Sequence, residues 1–303
     1  MDFDQLRALA TVAERRSFSR AADSLHLSQP AVSKRIAALE AELGVRLFDR
    51  VGRNVTLTDA GAALLPRARR MLDELEDSRR ALSRLSDRVD GRLSLGMSHH
   101  VALHRLPDVL KDYAQRYPEV ELELQFMDSE IACDAVLHGQ LELAVVTLPG
   151  ARAPTLATRV VWPDPLSIFV AREHPLAGRA SVSVRELVDY PAVLPDTRTF
   201  TYRVIHDAFA GHGVEPQVRL STHYLETLRM LVAVGLGWSA LPATMADDRL
   251  RPVHVAGLAI ERRLGVAWHR QRSRSAAAAA FLRLLPAADG VEPDDGRPTS
   301  TAP

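Results

Sequence analysis

The stretch that decides the fold spans Ser19–Leu43 and reads SRAADSLHLSQPAVSKRIAALEAEL. After an apolar-sided first helix over residues 3–12, it predicts a short helix, a tight turn and a further helix. Ser28 is a natural N-cap, and Pro30 lies just inside the helix, where its missing N–H costs nothing. The apolar residues that recur at helical spacing and face inward are Val32, Ile36, Leu39 and Leu43. The pattern predicts a helix-turn-helix.

The outward face of the last of these helices carries groups that can read DNA. Amides, hydroxyls and cations at the N-terminal end of a recognition helix reach base edges in the major groove. The predicted contacts on this helix are Ser28, Gln29, Pro30, Ala31, Ser33, Lys34 and Arg35. An ordinary helical hairpin with a solvated polar face is the alternative, and the agreement of turn, cap and outward face argues against it.

A short ribbon follows the motif. Residues 47–58 predict two strands whose turn contains Gly52 and Asn54, residues that accept left-handed backbone angles. Arg50 and Arg53 flank the tip, where they could reach phosphates or a narrow minor groove. Arg53 could instead be a plain surface charge.

This N-terminal pattern resembles that of the LysR-type transcriptional regulators. The matching residues are Phe18 to Ala22, Leu27 to Ser33, Ile36, Leu39, Glu40, Leu43, Gly44, Leu47, Phe48, Arg50, Leu57, Thr58 and Gly61. The resemblance covers about residues 2–287. It implies an α/β protein overall, with a mostly α winged helix-turn-helix, a linker helix for dimerisation and a two-lobed effector domain like periplasmic binding proteins. The expected function is DNA-binding transcriptional regulation controlled by a small molecule.

Length and composition set broad limits. The chain has 303 residues, enough for two or three domains, and its 38 basic residues balance 38 acidic ones. A local excess of basic residues before Arg53 suits contact with phosphates. The single cysteine, Cys133, excludes an intrachain disulfide and is more typical of a core position than of a redox sensor. No signal peptide or membrane-length apolar run is found, so we expect a cytoplasmic protein without a membrane partner.

Residues 58–89 predict the linker helix. Its apolar seam alternates spacings of four and three, as in a coiled coil, and consists of Leu64, Ala68, Met71, Leu75, Ser78, Leu82, Leu85 and Val89. Thr58 is a plausible N-cap, Pro66 would kink or delay the helix start, and Gly91 marks its end. A second copy is the economical partner, because a dimer pairs two recognition helices with two half-sites. A single amphipathic helix lying on its own domain is the alternative.

After Gly91, strands alternate with helices, which predicts a mostly parallel sheet covered by helices on both faces. The predicted strands span residues 92–97, 120–127, 141–147, 192–194, 217–221, 238–241 and 264–269. The predicted helices span residues 100–117, 129–137, 200–210, 224–234 and 275–285. A crossover over 160–170 is broken at Trp162–Pro165, and Gly235 with Gly237 lets a helix turn sharply into a strand.

These elements predict four segments along the chain. They are the DNA-binding domain 1–58, the linker helix 59–90, the effector domain 91–287 and a disordered tail 288–303. Within the effector domain, lobe I covers about 91–163 and 265–287, and lobe II covers about 164–264.

Candidate effector contacts follow from topology. In open α/β sheets, ligands bind beyond the C-terminal ends of the strands. This rule and the loops matched to the family select Ser98, His99, His100, Asp128, Thr147, Arg198, Thr199, His223 and Tyr224. The resemblance itself implies contacts at Ser98, His100, Thr147, Thr199 and His223. The alternatives are that each hydroxyl only caps a helix and that Arg198 is merely solvent-exposed.

The chemistry of these residues predicts an anionic effector, a small carboxylate or an inorganic oxyanion, and no cofactor. Helix N-termini offer free N–H groups and partial positive charge. Asp128 argues mildly against an anion, unless it pairs with Arg198 or binds a ligand amine. His100 and His104 lie one turn apart and could bind a metal, but no carboxylate nearby in sequence completes a set, so no metal site is predicted. A pH-responsive pocket is a further option.

Two other functions compete with the ligand-responsive regulator. An enzyme is disfavoured because phosphate-binding glycine loops, nucleophile elbows and zinc-protease motifs are absent. A DNA-binding protein with a non-functional or partner-binding pocket is the runner-up. The expected partners are double-stranded DNA, the effector, copies of the chain in a homodimer or homotetramer, and RNA polymerase.

Overall fold

The computed structural model describes residues 1–51, 54–83, 88–150 and 154–286. The chain divides into two compact units, Met1–Leu85 and Ser86–Pro303. Among the described residues, no helix combines the length and the apolar character needed to cross a bilayer. The predicted tail 288–303 lies outside the described residues.

The N-terminal unit opens with three helices, α1 (Phe3–Arg15), α2 (Phe18–Leu25) and α3 (Gln29–Leu43). The Ser28 side chain accepts a hydrogen bond from the Ala31 backbone N–H at 3.3 Å and so caps α3. The buried core of this unit includes Leu6, Leu9, Val12, Ala21, Val32, Ile36 and Leu39. The predicted helix-turn-helix and its cap are therefore confirmed. The apolar stripe is confirmed except at Leu43, the last residue of α3, whose side chain is exposed.

The predicted ribbon is also confirmed. Strands β1 (Phe48–Val51) and β2 (Asn54–Leu57) are antiparallel, with Val51 opposite Asn54. The Glu40 side chain accepts a hydrogen bond from the Leu47 N–H at 2.7 Å, which ties the ribbon to α3. Arg53, at the predicted tip, and the side chain of Arg50 lie outside the described residues.

Helix α4 (Asp59–Ser83) is the linker helix, and Thr58 caps it by accepting from the Gly61 N–H at 3.1 Å. Pro66 lies inside this helix without ending it. The predicted eight-residue seam is not one continuous surface. Leu64 and Ala68 pack into the core of their own unit, whereas Val89 packs into the core of the second unit. Of the remaining positions, Met71, Leu75 and Ser78 line an open groove, and Leu82 and Leu85 fall outside the described side chains.

The second unit alternates strands and helices. Lobe I comprises β3 (Gly91–Met97), α5 (His99–His104), α6 (Pro107–Arg116), β4 (Val120–Phe126), α7 (Ser129–Leu137) and β5 (Leu143–Thr147). The long strand β6 (Leu156–Ala171) leads to α8 (Val184–Val188), β7 (Ala192–Pro195), α9 (Phe200–Ala210), β8 (Val218–Thr222), α10 (Leu225–Ala233) and β9 (Ser239–Pro242). A 3₁₀ turn at Ala243–Met245 precedes β10 (Leu250–Val253), the return strand β11 (Ile260–His269) and α11 (Ala276–Leu284).

Strands β6 and β11 join the two lobes. They pair antiparallel from Leu156 opposite His269 to Leu166 opposite Ile260. In lobe I, β11 pairs antiparallel with β5. Strands β5, β3 and β4 follow in this order and are parallel to one another. In lobe II, β9 and β10 pair with β6, and β7 and β8 form a small parallel sheet. Each lobe has its own apolar core, and the expected α/β class is confirmed.

The expected mostly parallel sheet is wrong for the large sheet, in which β6 pairs antiparallel with β9, β10 and β11 and only β3, β4 and β5 are parallel. Two further sequence predictions in this unit were wrong, both through proline. The single helix expected over 100–117 is two helices, because Pro107 begins α6 and cannot donate the hydrogen bond that would continue α5. The expected break at Trp162–Pro165 is instead the middle of β6. The two prolines of this segment come before Leu166, the first residue of β6 that pairs with β9. At the prolines, β6 therefore pairs with β11 on one side only, and proline is tolerated where the other edge of a strand is unpaired. Helix α8, strand β10 and the 3₁₀ turn were not predicted.

The glycines that connect α10 to β9 generate a stability prediction. Gly235 has a φ of +81°, and a Cβ on Gly237 would lie 2.5 Å from the Pro191 carbonyl oxygen. We expect Gly237→Ala to lower the free energy of unfolding by about 1–3 kcal/mol, because backbone must shift. Urea unfolding of the variant and of the wild type measures this difference in the free energy of unfolding. Gly150→Ala is the control, since its Cβ would meet nothing within 4 Å; equal stability of the two variants would contradict the prediction.

Candidate functional site

A cleft between the two lobes collects most of the predicted effector residues. Its free volume is about 50 Å³. The lining residues are Ser98, His99, His100, Met127, Asp128, Ser129, Glu130, Thr147, Pro195, Thr199, Thr201, His223, Tyr224, Leu225, Glu226 and Arg262. The C-terminal ends of β3, β5 and β7 meet here, as the topological rule requires. Every predicted effector residue except Arg198 lines this cleft.

A buried ion pair lies on the strands that join the lobes. Asp164 of β6 and Arg262 of β11 are direct cross-strand partners, with Nε 2.6 Å from Oδ2. The two side chains are only 2% and 3% exposed, and Arg105 approaches the other carboxylate oxygen of Asp164 at 3.1 Å. The Arg262 Nη1 lies 3.4 Å from the Thr201 hydroxyl, and its Nη2 has no hydrogen-bond partner in the described part of the chain. Burial lowers the pKa of Arg262, and Asp164 opposes this shift.

Side chains from the two lobes meet across the cleft. The Asp128 carboxylate lies 2.8 Å from Nδ1 of His223. The Glu130 carboxylate accepts a hydrogen bond from the Phe200 N–H, the first helical residue of α9. A carboxylate of lobe I therefore occupies the N-terminus of a lobe II helix, where the helix dipole favours negative charge.

Arg198 does not enter the cleft. Its side chain is 78% exposed, and its Nε donates to the Asp196 carboxylate at 2.9 Å. This hydrogen bond is the main reason that the pKa of Asp196 is lowered. The suggested pairing of Asp128 with Arg198 is replaced by pairing with His223, because the backbone N–H and the Nε of Arg198 both donate to the Asp196 carboxylate.

The three predicted hydroxyl groups are used differently. Thr199 accepts from the Tyr202 N–H at 3.1 Å and donates to the Asp196 carbonyl at 2.8 Å, so its hydroxyl caps α9. Ser98 is the N-cap residue of α5 but makes no side-chain capping hydrogen bond. The backbone N–H of Thr147 donates to the Ser129 hydroxyl at 3.1 Å. The Ser98 hydroxyl, unlike that of Thr199, is therefore not used to cap its helix.

Histidines from α5 meet a carboxylate from α10. Nε2 of His104 and Nδ1 of His100 lie 3.3 Å and 3.7 Å from the same Glu226 oxygen. His100 is 5% exposed, and burial is the largest cause that lowers its pKa. Neighbouring groups, first the His100 imidazole, lower the pKa of Glu226 to about 2. The carboxylate that seemed to be missing for a metal site is therefore present, supplied by the opposite lobe.

Sequence reasoning missed the charged residues that complete the cleft. Arg262 had a detectable signal, because it occupies an inward position between buried Ile260 and Leu264 in an alternating strand. Glu226 and Glu130 gave no comparable signal. Each acts through a partner far away in sequence, and an acidic residue in the first turn of a helix is ordinary.

The lone cysteine belongs to the core of lobe I. Cys133 lies on α7 and packs in an apolar cluster beside β5. Burial raises the pKa of its thiol to about 12, so the thiolate needed for reactivity is scarce near neutral pH.

The second candidate site is the N-terminal end of α3. Ser28, Gln29, Pro30 and Lys34 are exposed, and Ala31, Ser33 and Arg35 are half-buried. The Gln29 amide donates to the Ser33 hydroxyl at 3.0 Å, and Arg35 forms an ion pair with Asp4 of α1 at 2.9 Å. Polar groups that could face a base edge thus stand together on one helical face.

Two family models match this chain. The model for the bacterial regulatory helix-turn-helix protein of the lysR family matches residues 3–62, and the LysR substrate binding domain matches residues 86–289. The chain belongs to the LysR family. Its two parts are therefore a DNA-binding helix-turn-helix and a substrate-binding domain of a transcriptional regulator, not of an enzyme.

Relatives agree with this assignment over nearly the whole chain. An uncharacterized HTH-type transcriptional regulator, YybE of Bacillus subtilis, is 29% identical and covers 94% of this chain and 98% of its own. A probable RuBisCO transcriptional regulator of Synechocystis is 30% identical, with coverages of 96% and 87%. A full-length OxyR variant from Pseudomonas aeruginosa shares the fold, with a TM-score of 0.67, 24% identity and coverages of 94% and 93%.

Proposed function

We propose that this LysR-type regulator reads specific DNA with the N-terminal end of α3 and that a small anion bound between the lobes controls it. The observation that carries the effector proposal is the Arg262 guanidinium, which lies in the cleft with one nitrogen unpartnered among the described residues. A buried donor left without a partner costs free energy, and an anion that supplies the acceptor recovers it. No cofactor is needed for this role.

The DNA-reading proposal assigns different tasks to the residues of α3. Gln29 and Ser33 face outward beside each other and read base edges, where an amide pairs well with adenine. Lys34 is exposed and holds a phosphate. Arg35 is tied to Asp4, so it fixes α3 against α1 and takes a smaller part in contact with DNA than the sequence suggested.

The size and charge of the cleft restrict the anion. About 50 Å³ of free space is several times the roughly 10–15 Å³ that one water molecule needs. Such a space suits an inorganic oxyanion or a short carboxylate, unless the lobes separate. The guanidinium of Arg262 and the free Ser98 hydroxyl are the donors, and the Glu130 carboxylate is the group that an entering anion displaces from α9.

The N-terminal unit offers a surface for a second copy. An open groove of about 390 Å³ between α1 and α4 is lined by Met1, Asp2, Phe3, Leu6, Met71, Glu74, Leu75 and Ser78. Phe3 and Met71 are 46% and 43% exposed, which is unusual for large apolar side chains grouped together. A partner's α4 covers this groove, so the homodimer uses the middle of the linker helix and not the whole predicted seam.

In the proposed mechanism, dimers pair into tetramers that hold two recognition sites on one face of the DNA. Anion binding exchanges contacts between the lobes and shifts the geometry of the assembly, which changes the DNA bend and the approach of RNA polymerase. The protein works in the cytoplasm.

The DNA proposal predicts two distinct losses. Gln29→Ala or Ser33→Ala should relax sequence preference by about 1–3 kcal/mol at one base pair, whereas Arg53→Ala should weaken binding to all sequences and flatten the salt dependence. Affinity for selected and random duplexes at several salt concentrations measures both effects. Ala38→Ser, exposed further along α3, is the control. Identical behaviour of the two classes of variant would refute the division of roles.

The effector proposal predicts that small anions stabilise the protein through Arg262. Sulfate, phosphate, nitrate, acetate and succinate are titrated in a thermal unfolding assay, and at least one should raise the Tm saturably. Arg262→Lys keeps the charge but loses the planar donor pair, so the midpoint of that titration should rise at least tenfold. The neighbouring, exposed Arg263→Lys should respond like wild type. An unchanged midpoint in the Arg262 variant would reject its role.

The dimer proposal predicts that a charge in the groove separates the protomers. Met71→Glu places an unpaired carboxylate on the apolar groove, which should weaken self-association at least tenfold and favour monomers at micromolar concentration. Sedimentation velocity of the full chain measures the change. Arg70→Glu, which reverses an exposed charge on the adjacent position of α4, should remain dimeric. Dimers that persist in the Met71 variant would place the interface elsewhere.

A further inference from the structure

We infer that His100, His104 and Glu226 form a binding site for a divalent transition-metal ion that links the two lobes. The histidines come from α5 in lobe I, and Glu226 comes from α10 in lobe II. Their ligand atoms all lie within 4.8 Å of one another. An ion at this site would hold both lobes at once.

The distances are close to those of a coordination sphere. A tetrahedral Zn²⁺ ion with bonds of about 2.0–2.1 Å separates its ligand atoms by roughly 3.3 Å. The Glu226 oxygen already lies 3.3 Å from Nε2 of His104, and it lies 3.7 Å from Nδ1 of His100. The two imidazole rings stand side by side, with centroids 4.6 Å apart. Small side-chain rotations are sufficient to bring the three atoms around one ion.

A second observation points to a ligand at this place. His100 is 5% exposed, yet among the described residues neither of its ring nitrogens has a hydrogen-bond partner. Buried polar groups without partners are uncommon, because each one costs free energy. A metal ion bound through Nδ1 would satisfy one of these nitrogens.

The charges around the site permit a cation. The buried Arg262 guanidinium acts electrostatically on His100, but the Asp164 carboxylate contacts this guanidinium at 2.6 Å. Arg105 contacts the other oxygen, Oδ1, of the same Asp164 carboxylate. The Glu226 carboxylate is therefore left to face the imidazoles.

The donor set identifies the class of ion. Two imidazoles and one carboxylate suit Zn²⁺, Cu²⁺, Ni²⁺ or Fe²⁺, whereas Mg²⁺ and Ca²⁺ prefer oxygen ligands. Three protein ligands leave a coordination position open. An oxyanion or carboxylate can fill it, so the metal deepens the anion-binding role of the cleft. That regulatory consequence rests on the proposed function, whereas metal binding itself does not.

Titration of the full chain with Zn²⁺ alone tests the site. After treatment with a chelator and its removal, calorimetry should show one saturable site per chain. His104→Ala and Glu226→Gln should each weaken binding at least tenfold, and both side chains are exposed enough for the variants to fold. Equal losses from one residue of each lobe identify a single ion held by both. Mg²⁺ should not compete.

The control variant is His138→Ala. His138 also lies 3.3 Å from a carboxylate, that of Asp134, but both residues belong to α7 and the described structure shows no third ligand there. This variant should bind Zn²⁺ like wild type.

Two outcomes would overturn the inference. One is the absence of saturable Zn²⁺ binding, and the other is a loss in His104→Ala but not in Glu226→Gln, which would confine the ion to α5. Neither result affects the anion titration of Arg262→Lys, so failure of the metal site and failure of the proposed function are read separately.

Discussion

The two-lobed domain depends on one buried interaction, the contact of the Asp164 carboxylate with the guanidinium groups of Arg262 and Arg105. Removing one partner of such a pair costs about 3–5 kcal/mol, because the other charge stays buried without compensation. Asp164 and Arg262 lie directly opposite each other on β6 and β11, the two strands that pass from one lobe to the other. An apolar pair of similar volume is often as stable. The retained charges therefore point to a role in the cleft, where they fix a guanidinium whose remaining nitrogen has no partner among the described residues.

The cleft has two chemically different ends around this guanidinium. Toward α9, the Glu130 carboxylate occupies a helix N-terminus, which is the position that an anion would favour. Toward α10, Glu226 lies between two imidazoles, which is an arrangement that a cation would favour. Both arrangements pair a group of lobe I with a group of lobe II. A ligand bound at either end therefore changes contacts between the same two lobes.

The sequence predicted local structure well and long-range chemistry poorly. The helix-turn-helix could be recognised because the Ser28 cap and the apolar spacing of α3 are encoded within a few residues. The prolines of β6 misled the prediction, since their tolerance depends on where β9 begins to pair. The linker seam misled it as well, because the same spacing fits a core contact at Ala68 and an open groove at Met71. Glu226 could not be foreseen, because its partners lie on another lobe.

The contacts that already join the lobes limit what any effector can do. A ligand shifts an equilibrium only by the difference in its affinity for the two states. In the proposed function, an anion displaces Glu130 from α9, so its gross binding energy is reduced by the energy of that contact. An anion that makes only the contacts Glu130 already makes gains little net affinity. For the proposed anion, selectivity therefore comes from contacts that Glu130 does not make, which are those to the Arg262 nitrogen and to the Ser98 hydroxyl.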